Sequence, residues 1–115
     1  MPEGCLFCRI VRKEIPAVIV LESEQALAFR DINTQAPLHV LVVPKEHIEN
    51  ALAVGKEQAG TLFEVFRLAQ EVAKKEGADR SGFRLVLNNG SNAGQAVDHL
   101  HLHILAKRKL SWPPG

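Results

Sequence analysis

His99, His101 and His103 alternate with Leu100, Leu102 and Ile104, and that spacing is where a chemistry first shows in this chain. An apolar residue at every second position is the pattern of a β-strand with one buried face, so the three imidazoles are expected in a row on the opposite face, neighbours roughly 7 Å apart. Imidazole titrates near neutrality; neutral, it is a nucleophile and a metal ligand, and charged, it is a donor to anions. The row therefore points to metal binding or to chemistry on a negatively charged group. A merely solvated polar face is the competing account, and it is weakened because three of the five histidines share alternate positions on one strand.

Two further groups have suitable types and spacing. Cys5 and Cys8 are the only cysteines and stand as C-x-x-C; in a reducing compartment such a pair binds metal or does redox chemistry more readily than it forms a structural disulfide. The stretch 88–95, NNGSNAGQ, lies just upstream of the histidines. Its glycines let backbone N–H groups converge on phosphate oxygens, although Asn and Gly also make ordinary turns. Beside the histidines, this loop reads as a phosphate site.

The elements that must position these groups follow from periodicity. Residues 5–12 carry apolar residues at helical spacing, a short helix stopped before Pro16. The β-branched run 18–21, a turn at 23–25 and the run 26–29 make a hairpin, and after the turn-forming stretch 31–37 a third strand covers 38–43, closed by Pro44. Residues 56–76 form a long amphipathic helix on Leu62, Val65, Phe66, Ala69, Val72 and Ala73, with Gly77 as its terminating glycine. Strands at 83–87 and 99–106 complete the set. There is no internal repeat and no low-complexity segment, and the short connections imply an α+β fold with a mainly antiparallel sheet.

Bulk composition limits the function. With 115 residues, 46% of them hydrophobic, the chain suits one domain over 1–115, with a tail at 111–115. A net charge of +1 with 23% charged residues, and no basic run interleaved with aromatics, argues against a nucleic-acid polymer as partner. No apolar run reaches membrane-spanning length, and the start Met1-Pro2-Glu3-Gly4 lacks the regions of a signal peptide, so a cytoplasmic protein with no membrane partner is expected.

The run 94–105, GQAVDHLHLHIL, resembles the signature of the histidine triad (HIT) superfamily, and the stretches CLFCRI at 5–10, EIP at 14–16, FRDI at 29–32, QAPLH at 35–39, PKEHI at 44–48 and WPPG at 112–115 are similar to its HINT-like branch. The resemblance implies a five-stranded antiparallel sheet with one long and one short helix, paired into a homodimer. The implied activity is that of a purine nucleoside phosphoramidase or related nucleotidyl hydrolase acting on an AMP or GMP type of purine nucleotide. His101 would attack the α-phosphorus to give a nucleotidyl-histidine that water hydrolyses. His103 would donate to a phosphate oxygen, with Asn88 and the backbone of Gly94 and Gln95 stabilising the phosphoryl charge. Asp31 would hold the ribose hydroxyls, and Leu6, Phe7, Ile10, Phe29, Ile32 and Leu41 the base. His39 falls near the leaving-group side.

Plainer roles stand beside several of these: core packing for Ile10 and Leu41, turn formation for Asp31, and a satisfied polar residue on a half-exposed strand for His39. The resemblance further implies a structural zinc held by Cys5, Cys8, His47 and His99, a closed four-ligand site with no open position for water. It places the Trp112 tail near the partner subunit's site, with the long helix and an edge strand ahead of the tail as pairing surfaces. Ala96 departs from the pattern, since relatives carry Ser or Thr there, and the missing hydroxyl bears on protonation of the leaving group. A dinucleoside polyphosphate hydrolase, a nucleotide-binding regulatory module with little turnover, and a metal-handling protein using the histidine row itself stay open as alternatives.

Overall fold

A computed structural model describes residues 3–115; Met1 and Pro2, which open the stretch read as one domain without a signal peptide, lie outside the described residues. The chain forms α1 (Leu6–Val11), β1 (Ile19–Glu22), β2 (Ala26–Arg30), β3 (Leu38–Pro44), α2 (Ala59–Lys75), β4 (Phe83–Val86) and β5 (Leu102–Ala106). Short 3-10 turns at Ala51–Ala53 and Lys56–Gln58 lead into α2, and another at Ser91–Ala93 lies between β4 and β5. The five strands make one sheet in the order β1-β2-β3-β5-β4, and every neighbouring pair is antiparallel. This is the expected α+β fold. Among the described residues, no helix is long and apolar enough to cross a membrane.

The centre of the sheet is covered on both sides. All of β3 is buried, and the alternation along it divides its side chains between two cores. Leu38, Val40 and Val42 pack with Leu102, Ile104 and Ala106 of β5 and with Val65, Leu68, Ala69 and Val72 of α2. Leu41 and Val43 pack on the other side with Leu27, Phe29 and the α1 residues Phe7, Cys8 and Ile10. The β5 register pairs Leu41 with His103 and His39 with Leu105, so His103 emerges on the α1 side.

Three expectations need correction. The last strand starts at Leu102 rather than at position 99, so His99 and His101 precede it. The reason lies in its partner: β3 ends at Pro44, a residue with no N–H for a ladder, and Leu100 N–H instead bonds to the Ile48 carbonyl at 2.6 Å. In α2, Phe66 is 48% exposed whereas Leu68 is buried. Leu68 lies three residues after Val65 and four before Val72, in the middle of the stripe. Finally, β5, the strand that runs into the tail, is interior, and the sheet edges are β1 and β4.

The end of α2 is as expected. Gly77 has φ +75°, its N–H reaches the Lys74 carbonyl at 3.2 Å, and Ala78 N–H reaches that of Ala73 at 2.8 Å. This is the paired closure that a residue in the left-handed region allows.

Leu68→Ala, which empties a position under the sheet, lowers the unfolding free energy by about 2–5 kcal/mol in urea denaturation, whereas exposed Gln70→Ala stays within about 0.5 kcal/mol.

Candidate functional site

A cavity of about 420 Å³ and another of about 760 Å³ flank the segment that leads into β5. The larger lies between α1, the segment after it and the α1-facing side of β2 and β3. Phe7, Ile10, Phe29 and Leu41 line its floor, Leu6 and Ile32 its wall and rim, and Asp31, Gly94, Ala96, His101 and His103 its polar side. Phe7 stands edge-on to Phe29, with ring centroids 5.5 Å apart, and edge-on to His101 at 5.0 Å. Ile10 and Leu41 are thus core residues and cavity wall at once. Ile32 is fully exposed and forms only the rim.

His101 has its proton placed by the backbone. Its Nδ1 lies 2.8 Å from the His99 carbonyl oxygen, which can only accept, so Nδ1 carries the hydrogen and Nε2 of the neutral ring carries the lone pair. His101 is buried but lines the cavity.

The backbone likewise fixes a second pair of rings. Gln35 N–H donates to His39 Nδ1 at 3.0 Å, leaving the His39 hydrogen on Nε2. That Nε2 lies 2.9 Å from His103 Nδ1 and 3.3 Å from Asp31 Oδ2. His103 Nδ1 is then an acceptor, and its hydrogen must sit on Nε2, an atom that is buried and has no partner. A buried donor without an acceptor costs about 1–3 kcal/mol, which marks it as a group awaiting an oxygen from outside the chain. His101 and His103 rings are 5.0 Å apart. Burial, reinforced by His101 and His39, pushes the His103 pKa down from 6.5 to about 4, and burial also lowers that of His39. Both rings are neutral at pH 7. His39 is only 5% exposed, so the half-exposed strand considered for it is in fact covered by the turn at Gln35. Asp31 serves the turn as well as the cavity, its Oδ1 accepting from Asn33 N–H at 2.8 Å.

His99 does not share the row. Its ring turns into a buried cluster with Cys5, Cys8 and His47, whose ligand atoms all lie within 4.8 Å of one another. His99 Nδ1 is 3.3 Å from Cys5 Sγ, 3.5 Å from Cys8 Sγ and 3.2 Å from His47 Nδ1, and Cys8 Sγ is 3.3 Å from His47 Nδ1. His99 Nε2–H donates to the Pro44 carbonyl at 2.9 Å, so its Nδ1 presents a lone pair to the cluster. A tetrahedral zinc with bonds of about 2.0–2.3 Å spaces its ligands about 3.3–3.8 Å apart; the cluster matches this with little movement. Burial, opposed by the Pro44 carbonyl, lowers the His99 pKa to about 4, while burial and the neighbouring Cys5 raise that of Cys8 to about 11. A bound divalent ion would oppose the Cys8 shift by stabilising the thiolate and would act with burial to keep the His99 ring neutral.

Asp31, His39 and His103 also lie close enough together to hold an ion. There, however, Gln35 N–H already occupies one His39 nitrogen and the other is engaged with His103, so the group reads as a hydrogen-bonded chain.

The loop before β5 is braced from within. Gln95 Oε1 accepts from Gly90 N–H at 2.9 Å, and Nε2 donates to the carbonyls of Glu49 at 2.9 Å and Val97 at 3.1 Å. Gly94 sits at φ +83°, which turns the chain so that Gly94 and Ala96 reach the cavity while the Gln95 side chain does not. Asn88 is half-buried and Trp112 is 81% exposed; neither lines the cavity. The tail is tied to β4 by Arg84 Nη2, which donates to the Ser111 carbonyl at 2.9 Å. The backbone groups of Gln35 and Pro44, central to both sites, carry no side-chain signal that sequence reading could detect.

An antiparallel sheet presenting two oriented imidazoles to an apolar cavity, with a Cys and His cluster behind them, defines a small class of proteins. A family model for the HIT domain matches residues 12–110, and the chain belongs to the histidine triad family. It is 49% identical over 115 residues, all of both chains, to an uncharacterized HIT-like protein of Synechocystis. It is 41% identical to a 14 kDa zinc-binding protein of Zea mays over 112 residues, 96% of this chain and 87% of that one. The crystal structure of a HIT family hydrolase from Legionella pneumophila superposes with a TM-score of 0.95 at 46% identity, covering 97% of this chain and 100% of that one.

The half-buried, neutral His103 sets the sign of a pH effect. Its folded pKa of about 4 lies below the ordinary 6.5, so between these values the unfolded chain binds the extra proton and stability falls as pH is lowered. In metal-stripped protein the urea midpoint drops between pH 7 and pH 4.5, and it drops less in His103→Asn, which has nothing to protonate.

Proposed function

We propose that this protein is a nucleotidyl hydrolase that cleaves purine nucleoside phosphoramidates or related AMP derivatives through a nucleotidyl-histidine intermediate. The observation that carries this reading is the complementary state of two adjacent rings: His101 offers a lone pair at Nε2, and His103 offers an unpaired N–H at Nε2. Backbone contacts thus preset a nucleophile and an anion donor on adjacent rings. The Legionella relative's designation as a hydrolase supports the same class.

In the first step His101 Nε2 bonds to the α-phosphorus and the phosphorus bond to the leaving group breaks, the leaving group keeping the electron pair and taking a proton from solvent. The His101 imidazolium keeps its Nδ1–H on the His99 carbonyl, and His103 Nε2–H stabilises a phosphoryl oxygen. Water then displaces His101 and releases the nucleoside monophosphate. The base occupies the apolar floor between Phe7, Phe29 and Leu41, and Asp31 accepts from the ribose hydroxyls. The backbone of Gly94 and Gln95 meets the phosphate, and Asn88, which does not line the cavity, takes no part. His39, backed by Asp31, is a positioning residue that keeps His103 in its donor form. Ala96 supplies no hydroxyl to the leaving group, so substrates whose leaving group needs little help from an acid are turned over best.

Cys5, Cys8, His47 and His99 fit a zinc ion, in keeping with the maize relative described as zinc-binding. Thiolate ligands require a reducing compartment, consistent with the cytoplasm. Exposed Phe63 and Phe66 on α2 and Phe83 on edge strand β4 supply an apolar surface for a homodimer, which would bring the Trp112 tail to the partner's cavity.

His101→Asn lowers turnover of an adenosine phosphoramidate by about a thousandfold or more while retaining AMP binding, and His103→Asn lowers it by about a hundredfold. Tight AMP binding with no turnover of either a phosphoramidate or a diadenosine polyphosphate would replace the hydrolase by a binding module. Purified protein carries about one zinc per chain, lost in Cys8→Ser, by elemental analysis.

A further inference from the structure

His99 belongs to both sites at once. Its Nδ1 faces Cys5, Cys8 and His47, its Nε2–H is held by Pro44, and its own carbonyl oxygen is the group that accepts from His101 Nδ1–H. The ring that ligates and the carbonyl that orients the nucleophile are thus parts of one residue, joined by a few covalent bonds. His99 and His101 also stand before the start of β5, where no ladder hydrogen bonds to β3 hold them in register. What restrains this segment is the His99 ring and the Leu100 N–H bond to Ile48.

The cluster is not sealed. Cys8 and His99 are fully buried, but Cys5 and His47 line an open cleft of about 420 Å³ whose other residues include Glu49 and Asp98. Those carboxylates favour the approach of a cation. Leu6, Ala96 and Val97 line both this cleft and the larger cavity, so the two spaces are separated by a single layer of side chains.

We propose that the metal centre is an exchangeable regulatory site: a divalent ion of the zinc type enters and leaves through the cleft without unfolding the chain, and its occupancy sets the position of the His99 carbonyl and, through it, the orientation and tautomer of His101. The proposal rests on reading the cluster as a metal site and His101 as the nucleophile. Among themselves the four side chains offer His99 Nδ1 only hydrogen bonds, with His47 Nδ1 at 3.2 Å and the two sulfurs at 3.3 and 3.5 Å. These are weaker than bonds to a metal, so loss of the ion loosens the His99 ring, and its carbonyl with it. His99 is then a positioning residue whose effect depends on its ligand.

The test uses wild-type protein loaded with zinc chloride, then treated with a chelator at pH 8 and reloaded. Three quantities are followed: zinc released against far-UV circular dichroism, the ring nitrogen signals of His101 in a long-range nitrogen–proton spectrum, and kcat and KM separately. Zinc should leave while the dichroism is unchanged. His101 should pass from a single Nδ1–H form to a mixture containing Nε2–H, kcat should fall about tenfold with KM nearly constant, and added zinc should restore all three. Cys8→His, which keeps a ligand, should behave as the loaded wild type, and Cys8→Ala as the stripped one. Zinc that leaves only as the chain unfolds, a protein that takes up no zinc, or a His101 spectrum identical in both states would overturn the proposal. The spectrum needs no turnover, so failure of the hydrolase reading and failure of the coupling are separately visible.

Discussion

Three histidine rings of the candidate site, His39, His99 and His101, are each governed by a backbone group that cannot change its role. A carbonyl can only accept and an amide N–H can only donate. The Pro44 carbonyl therefore puts the His99 hydrogen on Nε2, the His99 carbonyl puts that of His101 on Nδ1, and Gln35 N–H drives that of His39 to Nε2. From these three contacts the states of the remaining nitrogens follow, including the unpaired donor on His103 and the lone pair that His99 turns to the cysteines. Imidazole in water exchanges freely between its forms. Here burial lowers the affinity for a second proton, and the backbone selects which nitrogen keeps the first.

The sheet exists in a form that makes those contacts possible. Covering β2 and β3 with α2 on one face and α1 on the other gives two cores instead of one. The second core is small and incomplete, and the place where it stops is the larger cavity. Phe7 shows how closely structure and chemistry are shared there, because the same ring packs on Phe29, on His99 and on His101. Rings held edge-on in this way have little freedom to leave the positions that their hydrogen bonds require.

Much of this was legible in the sequence. Alternation located the strands and the side of β5 on which His103 lies, and the glycine at 77 located the end of α2. The departures have specific causes. Periodicity could not show that the ladder of β5 stops at Leu102, because Leu100 continues the pattern while bonding to Ile48 instead of to a strand. Nor did it single out Leu68, which is buried in the middle of the stripe, over Phe66, which is half exposed beside it. His39 looked half-exposed because a strand pattern does not reveal that a turn folds over it. The residue types of the metal cluster were visible from the start; their convergence from three separate places in the chain was expected only from a family resemblance.

The early end of the β5 ladder is also what allows one histidine motif to serve two purposes. Had the ladder continued to residue 99, His99, His101 and His103 would have pointed the same way at regular intervals, and all three would have faced the cavity. Because it stops, His99 is free to rotate its ring behind Phe7 toward Cys5 and Cys8, while its main chain still runs on to Leu102. The carbonyl left unpaired by the missing ladder bond is the one that His101 uses. A break in regular structure thus supplies both the fourth ligand of the cluster and the acceptor that orients the nucleophile, and Pro44, which ends β3 at that level, contributes its own carbonyl to the same residue.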